Sequence, residues 1–252
     1  MKAMVLAAGL GTRLRPLTDD RPKALVKVGD RTLLEIALSR LREFGVNDVV
    51  VNVHHFADSV VEFLRQNENF GMHIEVSREE TLLDTGGGLK KAGWFFAGDK
   101  DPFILHNVDV ISTIDLEKMF RLHVDRQALV TLAVKQRPTS RYLLFDEDLQ
   151  LCGRRAVRDQ KLEVVRAVDH PLELAFAGIH IISPRLLSLM TESGAFSIIS
   201  SYLRLAGLGE KILGFRADDY NWRDLGTPEN LKEAAAELDK SREAPRSGAR
   251  PI

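Results

Sequence analysis

The residues best equipped for chemistry cluster near the N-terminus. The stretch "VLAAGLGTRLRPLT", Val5 to Thr18, breaks from an apolar run into Gly9 and Gly11, and basic groups follow at Arg13, Arg15 and Lys23. Glycine tolerates positive φ and lets backbone N–H groups come close to an anion. Arginine meets phosphate through a planar fork and lysine as a point charge, so Arg13 and Lys23 together suit a polyphosphate. The same residues also fit a tight turn with solvated basic neighbours. Two standard phosphate loops are excluded: a Walker A loop needs Lys and then Ser or Thr after its second glycine, where Thr12 and Arg13 follow Gly11. A dinucleotide fingerprint needs a third glycine where Leu14 stands.

Two carboxylates are the next candidates, Asp109 just beyond "FILHN" and Asp224 in "WRDLG". Each follows an apolar or aromatic stretch, and a parallel sheet would present both at its ligand-binding edge. Mg²⁺ is usually held by one or two carboxylates plus substrate phosphates, which two facing aspartates would satisfy. The plainer alternative makes Asp109 a turn residue and Asp224 an acid at a helix start. His54 and His55 suggest a metal, but adjacent strand residues point to opposite faces, so they are not expected to share one.

The elements that must position these residues follow from periodicity. Lys2 to Ala7 reads as a buried strand ended by glycine. Leu33, Leu34, Ala37, Leu38, Leu41 and Phe44 fall at helical spacing, closed by Gly45. "DVVVNV" then reads as a strand, "ADSVVEFLRQN" as a helix and "MHIEVS" as a strand; "DTGGG" reads as a turn leading to a helix near Leu89, before the strand "PFILHNVD". A helix is expected near Leu116 to Val124 and a strand near Leu129 to Lys135. "ELAFAGIHIIS" and "KILGFRA" read as strands, "PRLLSLM" as a helix opening on proline and "FSIISSYLRLAGLG" as a helix. "TPENLKEAAAELDK" is a helix capped by Thr227 with Pro228 in its first turn. The alternation predicts an α/β fold, a Rossmann-like, mainly parallel sheet flanked by helices, with a small antiparallel β insertion at about 140–170. Residues 1–240 are expected to form one domain and 241–252 a disordered tail.

Charge excludes some partners. With 35 basic and 36 acidic residues among 252, the net charge of -1 offers no bulk attraction for nucleic acid or membrane. One cysteine, Cys152, can form neither an internal disulfide nor a thiolate zinc site, which favours a reducing compartment. Gly9, Gly11 and Arg13 interrupt the first apolar run, so neither a signal peptide nor a membrane span is expected, and the protein is placed in the cytoplasm.

"LAAGLGTRLRPLTDDRPKALVKV" resembles the signature of the sugar-1-phosphate nucleotidyltransferases, G-x-G-T-R-L followed by P-L-T and P-K-x-L. The similarity continues through "DTGGGLKKA", "NVDV", "AFAGIHIISP" and "WRDLGTPENL". "TGGG" looks closest to the N-acetylmuramate-1-phosphate uridylyltransferases and the mannose- or heptose-1-phosphate guanylyltransferases. The resemblance implies Mg²⁺-dependent transfer of a nucleoside monophosphate from a nucleoside triphosphate to a sugar 1-phosphate, releasing pyrophosphate. It assigns Arg13 and Lys23 to catalysis, and Asp109 and Asp224 to the metal. Nucleotide contacts fall on Leu6, Ala7, Ala8, Gly9, Gly11, Thr12 and Arg13, and on Asp84, Thr85, Gly86 and Gly87. Sugar-phosphate contacts fall on Lys23, Asn107, Glu173 and Gly178, with Arg141 near the sugar.

One departure is Val108, where relatives read N-G-D: a β-branched residue resists positive φ, so either the turn does not need it or its geometry differs here. The implied partners are the two small-molecule substrates, with no nucleic acid or membrane, and a monomer or small homo-oligomer. Competing functions are a cytidylyltransferase for phosphocholine or another non-sugar phosphate, an inactive nucleotide-sugar-binding regulator, and an NAD-dependent oxidoreductase, the last disfavoured by the missing glycine.

Overall fold

Short apolar runs bounded by glycine and polar residues become the strands, and amphipathic segments between them become the helices. A computed structural model describes residues 1–243. Its first half runs β1 (Lys2–Leu6), a small hairpin of β2 (Lys27–Val28) and β3 (Arg31–Thr32), α1 (Leu33–Glu43), β4 (Asp48–Val53), α2 (Ala57–Gln66), β5 (His73–Arg78), α3 (Asp84–Lys91) and β6 (Phe103–Asn107). There follow β7 (Val110–Ser112), α4 (Leu116–Asp125), β8 (Val130–Lys135), β9 (Arg141–Phe145), β10 (Leu151–Ala156) and β11 (Leu162–Val164). The chain continues with β12 (Leu172–Ile182), α5 (Arg185–Leu189), α6 (Ile198–Gly207), β13 (Ile212–Arg216), β14 (Trp222–Asp224) and α7 (Pro228–Glu243).

The large sheet is ordered β11-β10-β9-β12-β6-β1-β4-β5, with β8 pairing both β12 and β13. Strands β6, β1, β4 and β5 are parallel neighbours, and so are β8 and β13. β12 runs antiparallel to β6, β8 and β9, so it joins the two parallel blocks and carries the antiparallel insertion β9–β11. The fold is thus α/β, with a mixed, mostly parallel central sheet flanked by helices.

Strand alternation splits the core into two clusters. Ala3, Val5, Val49, Val51 and Ile104 enter one cluster with Leu34 and Leu38 of α1, while Met4, Val50 and Leu105 enter the other with Leu89 of α3 and Tyr202 of α6. Both faces of the parallel strands are therefore covered, as their apolar runs require.

Several boundaries differ from expectation. "DTGGG" is not a turn before a helix: α3 starts at Asp84 and contains all three glycines. α5 starts one residue after Pro184, which caps it. α7 continues past residue 240 to Glu243, with Thr227 Oγ1 accepting from Asn230 N–H at 3.3 Å. The tail expected to be disordered lies, from residue 244 on, outside the described residues. Among the described residues no helix is long and apolar enough to cross a membrane.

Candidate active site

The glycine loop leaves the carboxyl end of β1, the position at which a parallel sheet offers its ligand edge. Ala7 N–H donates to Asn52 Oδ1 at 2.8 Å, and Val108 N–H donates to Leu6 O at 3.2 Å, which ties the loop to its two neighbouring strands. Of the two glycines, only Gly11 has positive φ, at 64°. A Cβ there would come within 2.9 Å of Thr18 Cγ2 and 3.1 Å of Lys23 Cβ. Gly9 keeps an ordinary φ and has no protein atom within 4 Å of a Cβ position, so its backbone stays open to a ligand.

Lys23 opens a short 3-10 turn, Lys23–Leu25, and its ammonium donates to Asp109 Oδ2. Their side chains are only 14% and 12% exposed, so the two charges are largely withdrawn from water. Asp109 follows β6, as expected. Asp224, by contrast, is not delivered by the parallel sheet: it ends β14, which pairs antiparallel with β7 in register Asp224↔Val110. Leu225 N–H donates to Asp109 O at 2.8 Å, locking the two aspartate segments together. Val108 has no positive φ, so the turn before Asp109 does not need a glycine.

Gly226 N–H donates to Asp224 Oδ1 at 2.6 Å. A Cβ on Gly226 would sit 2.5 Å from Arg13 Nη2 and 2.7 Å from Asp224 Oδ1, which places the Arg13 guanidinium at the same turn. Arg13 is exposed and has no ion-pair partner among the described residues. Asp109 Oδ1 and Asp224 Oδ2 likewise accept no hydrogen bond from the described protein. Each aspartate thus has one anchored and one free oxygen, a donor set that fits a hard cation sharing its coordination with phosphate. No group of three or more His, Cys, Asp or Glu suited to a metal occurs among the described residues.

At α3 the three glycines are packed against protein. A Cβ would lie 2.3 Å from the Phe196 ring at Gly86, 2.4 Å from Gly194 O at Gly87 and 2.7 Å from Glu79 Oε1 at Gly88. Their smallness admits these neighbours. Asp84, at φ 59°, is exposed and accepts from Thr85 N–H at 2.6 Å, while Thr85 Oγ1 accepts from Ile198 N–H at 3.0 Å.

Sequence reasoning missed the buried link behind this corner. Glu79 accepts from Asn52 Nδ2 at 2.7 Å and from Leu83 N–H at 2.9 Å, so Ala7, Asn52, Glu79 and the start of α3 form one hydrogen-bonded chain. The signal was a polar Asn52 and Glu79 at positions an apolar period would fill. His54 Nδ1 meets Glu79 O at 2.9 Å, and His55 packs on Phe56.

The sugar-side residues divide. Gly178, at φ 77°, sits where β12 changes register, and a Cβ there would meet Val110 Cγ2 at 2.7 Å and Asn107 Nδ2 at 3.0 Å. Glu173 is not brought to the aspartates: it lies out on the insertion side, where both its oxygens accept from Arg155. Instead Arg137, a residue not singled out from sequence, stacks 4.2 Å from the Trp222 ring and donates to Phe176 O at 2.9 Å. Burial pulls its pKa below the usual arginine range, opposed by the nearby Asp224 charge.

The nucleotidyl transferase family model matches residues 2–241. N-acetylmuramate alpha-1-phosphate uridylyltransferase from Caulobacter vibrioides is 35% identical, covering 94% of this chain and 96% of that protein. D-glycero-alpha-D-manno-heptose 1-phosphate guanylyltransferase from Aneurinibacillus thermoaerophilus is 27% identical, covering 94% and 98%. Other relatives are longer: the chain spans 60% of a Synechocystis UTP–glucose-1-phosphate uridylyltransferase and 62% of a Candida albicans mannose-1-phosphate guanyltransferase. The fold matches UDP-glucose pyrophosphorylase complexed with UDP-glucose at a TM-score of 0.78 and 19% identity, over 96% of this chain and 99% of that one. The chain belongs to the nucleotidyl transferase family, and the relatives it matches over their full length are named as sugar-1-phosphate uridylyl- and guanylyltransferases.

Proposed function

We propose that the protein transfers a nucleoside monophosphate from a nucleoside triphosphate to a sugar 1-phosphate, with Mg²⁺, giving a nucleoside diphosphate sugar and pyrophosphate. The observation that carries this is the convergence of Arg13, Lys23, Asp109 and Asp224 on one corner beside the open backbone at Gly9. A sugar-phosphate oxygen forms the new bond to the α-phosphorus, and the α–β bridging P–O bond breaks as pyrophosphate leaves. The attacking phosphate is already ionised, so no general base is needed, and positioning with charge stabilisation carries the rate.

In this reading Asp109 and Asp224 hold the metal. When bound, Mg²⁺ would neutralise and polarise the phosphate oxygens. Arg13, unpaired and exposed, meets charge on the triphosphate and the leaving pyrophosphate. Lys23, anchored on Asp109, presents its ammonium between the sugar phosphate and the α-phosphate. The Leu6–Gly11 backbone, with Thr12, lies against the nucleotide. Asp84 and Thr85 border it from the start of α3, and Gly86 and Gly87 let that helix approach. Asn107 faces the sugar phosphate.

The relatives of full matching length act, by name, on N-acetylmuramate 1-phosphate and on a heptose 1-phosphate, which supports a sugar phosphate as acceptor over phosphocholine. Arg13 and the free carboxylate oxygens also speak against an inactive regulator. The test is a matrix of UTP, GTP, CTP and dTTP against sugar 1-phosphates, read as pyrophosphate release. Turnover with at least one sugar 1-phosphate is expected; release only with phosphocholine, or with none, would overturn the proposal.

A further inference from the structure

Asp224 stands on a slight support. β14 and β7 make a two-stranded sheet of three residues a side, and a ribbon that short is marginal in water without further anchoring. Downstream of Asp224 the anchors are main-chain: Leu225 N–H donates to Asp109 O at 2.8 Å, and Asn230 Nδ2 donates to Asp224 O at 2.6 Å. Upstream the anchor is a side chain. Trp222 alternates with Asp224 along β14, so the two share a face about 7 Å apart.

Trp222 is gripped in two ways. Its Nε1–H donates to Ala177 O at 2.7 Å, and the Arg137 guanidinium lies 4.2 Å from its ring centroid. Arg137 also donates through Nη2 to Phe176 O at 2.9 Å, so the stacked pair holds two consecutive carbonyls of β12. Those carbonyls open the irregular stretch of that strand: Phe176 faces Val134 and His180 faces Leu132, so three residues of β12 lie against one of β8. Gly178, inside the stretch, packs on Asn107 and Val110, which bracket Asp109 in sequence. Val110 is in turn the register partner of Asp224. The contacts thus form a closed circuit, from Arg137 through Trp222 to Asp224 and Val110, and back through Gly178 to Phe176.

Holding a carbonyl with this arginine is unfavourable taken alone. Burial disfavours its charge, and its buried Nε has no hydrogen-bond partner among the described residues. A planar guanidinium can, however, lie over an aromatic face while donating in its own plane, which no apolar or ammonium side chain does as well. Resting on the nucleotidyl-transfer reading, we propose that Arg137 and Trp222 are positioning residues for the metal site: their stack fixes β14 against β12 and holds the Asp224 carboxylate in place beside Asp109. Neither side chain touches the reacting atoms. Loosening the stack leaves both carboxylates present but lets Asp224 move, which weakens the hold on a divalent cation.

Mn²⁺ binding to the free protein, read from the paramagnetic resonance of the unbound ion, tests this without turnover. Arg137→Ala is expected to weaken Mn²⁺ binding by about 10- to 100-fold, the usual effect of removing a partner that orients a metal ligand. Arg137→Lys, which keeps a cation over the ring, should regain part of the loss. The double variant Arg137→Ala/Trp222→Leu should bind no worse than the weaker single variant, because both changes break one clamp. Thermal unfolding checks each fold; if Arg137→Ala does not fold, Arg137→Met, which keeps the stem over the ring and drops the bond to Phe176, is read in its place with the same expected direction. Affinity unchanged or tighter in the folded variant, or losses that add in the double variant, overturns this inference and leaves the metal site standing. Wild-type protein that binds no Mn²⁺, or binding that Asp224→Asn leaves intact, defeats the metal reading itself and this inference with it.

Discussion

Arg13 and Lys23 carry the same charge in very different surroundings, and their variants should fail differently. Arg13 is exposed and unpaired, so Arg13→Ala should lower kcat by about 10²- to 10³-fold, the cost of one charge-stabilising group. Its folding stability should move by no more than about 0.5 kcal/mol, as for a surface change. Lys23→Ala should lower kcat similarly and also destabilise by about 1–3 kcal/mol, because it strands a mostly buried Asp109. Steady-state kinetics beside urea unfolding separates the two; an Arg13→Ala enzyme with wild-type turnover would remove that residue from the mechanism. These residues were legible in the sequence because one local loop carries them. Arg137 was not, since its importance lies in stacking on Trp222, a contact no local pattern announces.

At the scale of elements, α3 is the instructive case. Three glycines read as a turn because glycine is a poor helix former, at about 0.8–1.0 kcal/mol each relative to alanine. The close approach of Phe196, Gly194 and Glu79 overrides that propensity. Gly87→Ala should therefore destabilise, by about 1–3 kcal/mol, since a Cβ would meet the Gly194 carbonyl oxygen at 2.4 Å. Helix propensity alone predicts the opposite sign, so a stabilised variant in chemical denaturation would refute the packing account. The β7–β14 ladder was equally illegible: strands of three residues carry almost no periodicity, and their partners lie more than a hundred residues apart. Both aspartates were recognisable, but the device that joins them was not. The parallel strands and α1, by contrast, followed directly from apolar spacing; the structure adds the Thr32 cap of α1, whose Oγ1 accepts from Glu35 N–H at 3.1 Å.

Across the whole molecule, burial of neutral histidines sets an acid limit on stability. Burial lowers His123 to about 4 and His180 to about 3 from an ordinary 6.5. His123 bridges Thr131 and Ser183 at 3.0 Å each, and His180 meets the Tyr202 hydroxyl at 3.0 Å. Because the unfolded chain protonates first, their contribution is complete above pH 6.5 and is lost as pH falls toward the folded values, by up to about 1.4 kcal/mol per unit for each. The ion-paired Glu62 and Glu192, both held near 2, act only below the ordinary carboxylate range, so the window between pH 6.5 and 5 belongs to the histidines. Tm should drop measurably from pH 7 to pH 5; an unchanged Tm would mean these rings are not buried neutral.

The same whole-molecule arrangement brings residues 13, 23, 109 and 224 to one corner, and its central claim is that the two aspartates act there together through a metal. The most direct measurement is the initial rate of pyrophosphate release from a nucleoside triphosphate and a sugar 1-phosphate, for wild type, Asp109→Asn and Asp224→Asn, with Mg²⁺ and with a chelator. Wild-type activity should require Mg²⁺, and each variant should lose it while circular dichroism shows the fold intact. Undiminished release in chelator, or from either folded variant, would contradict the account.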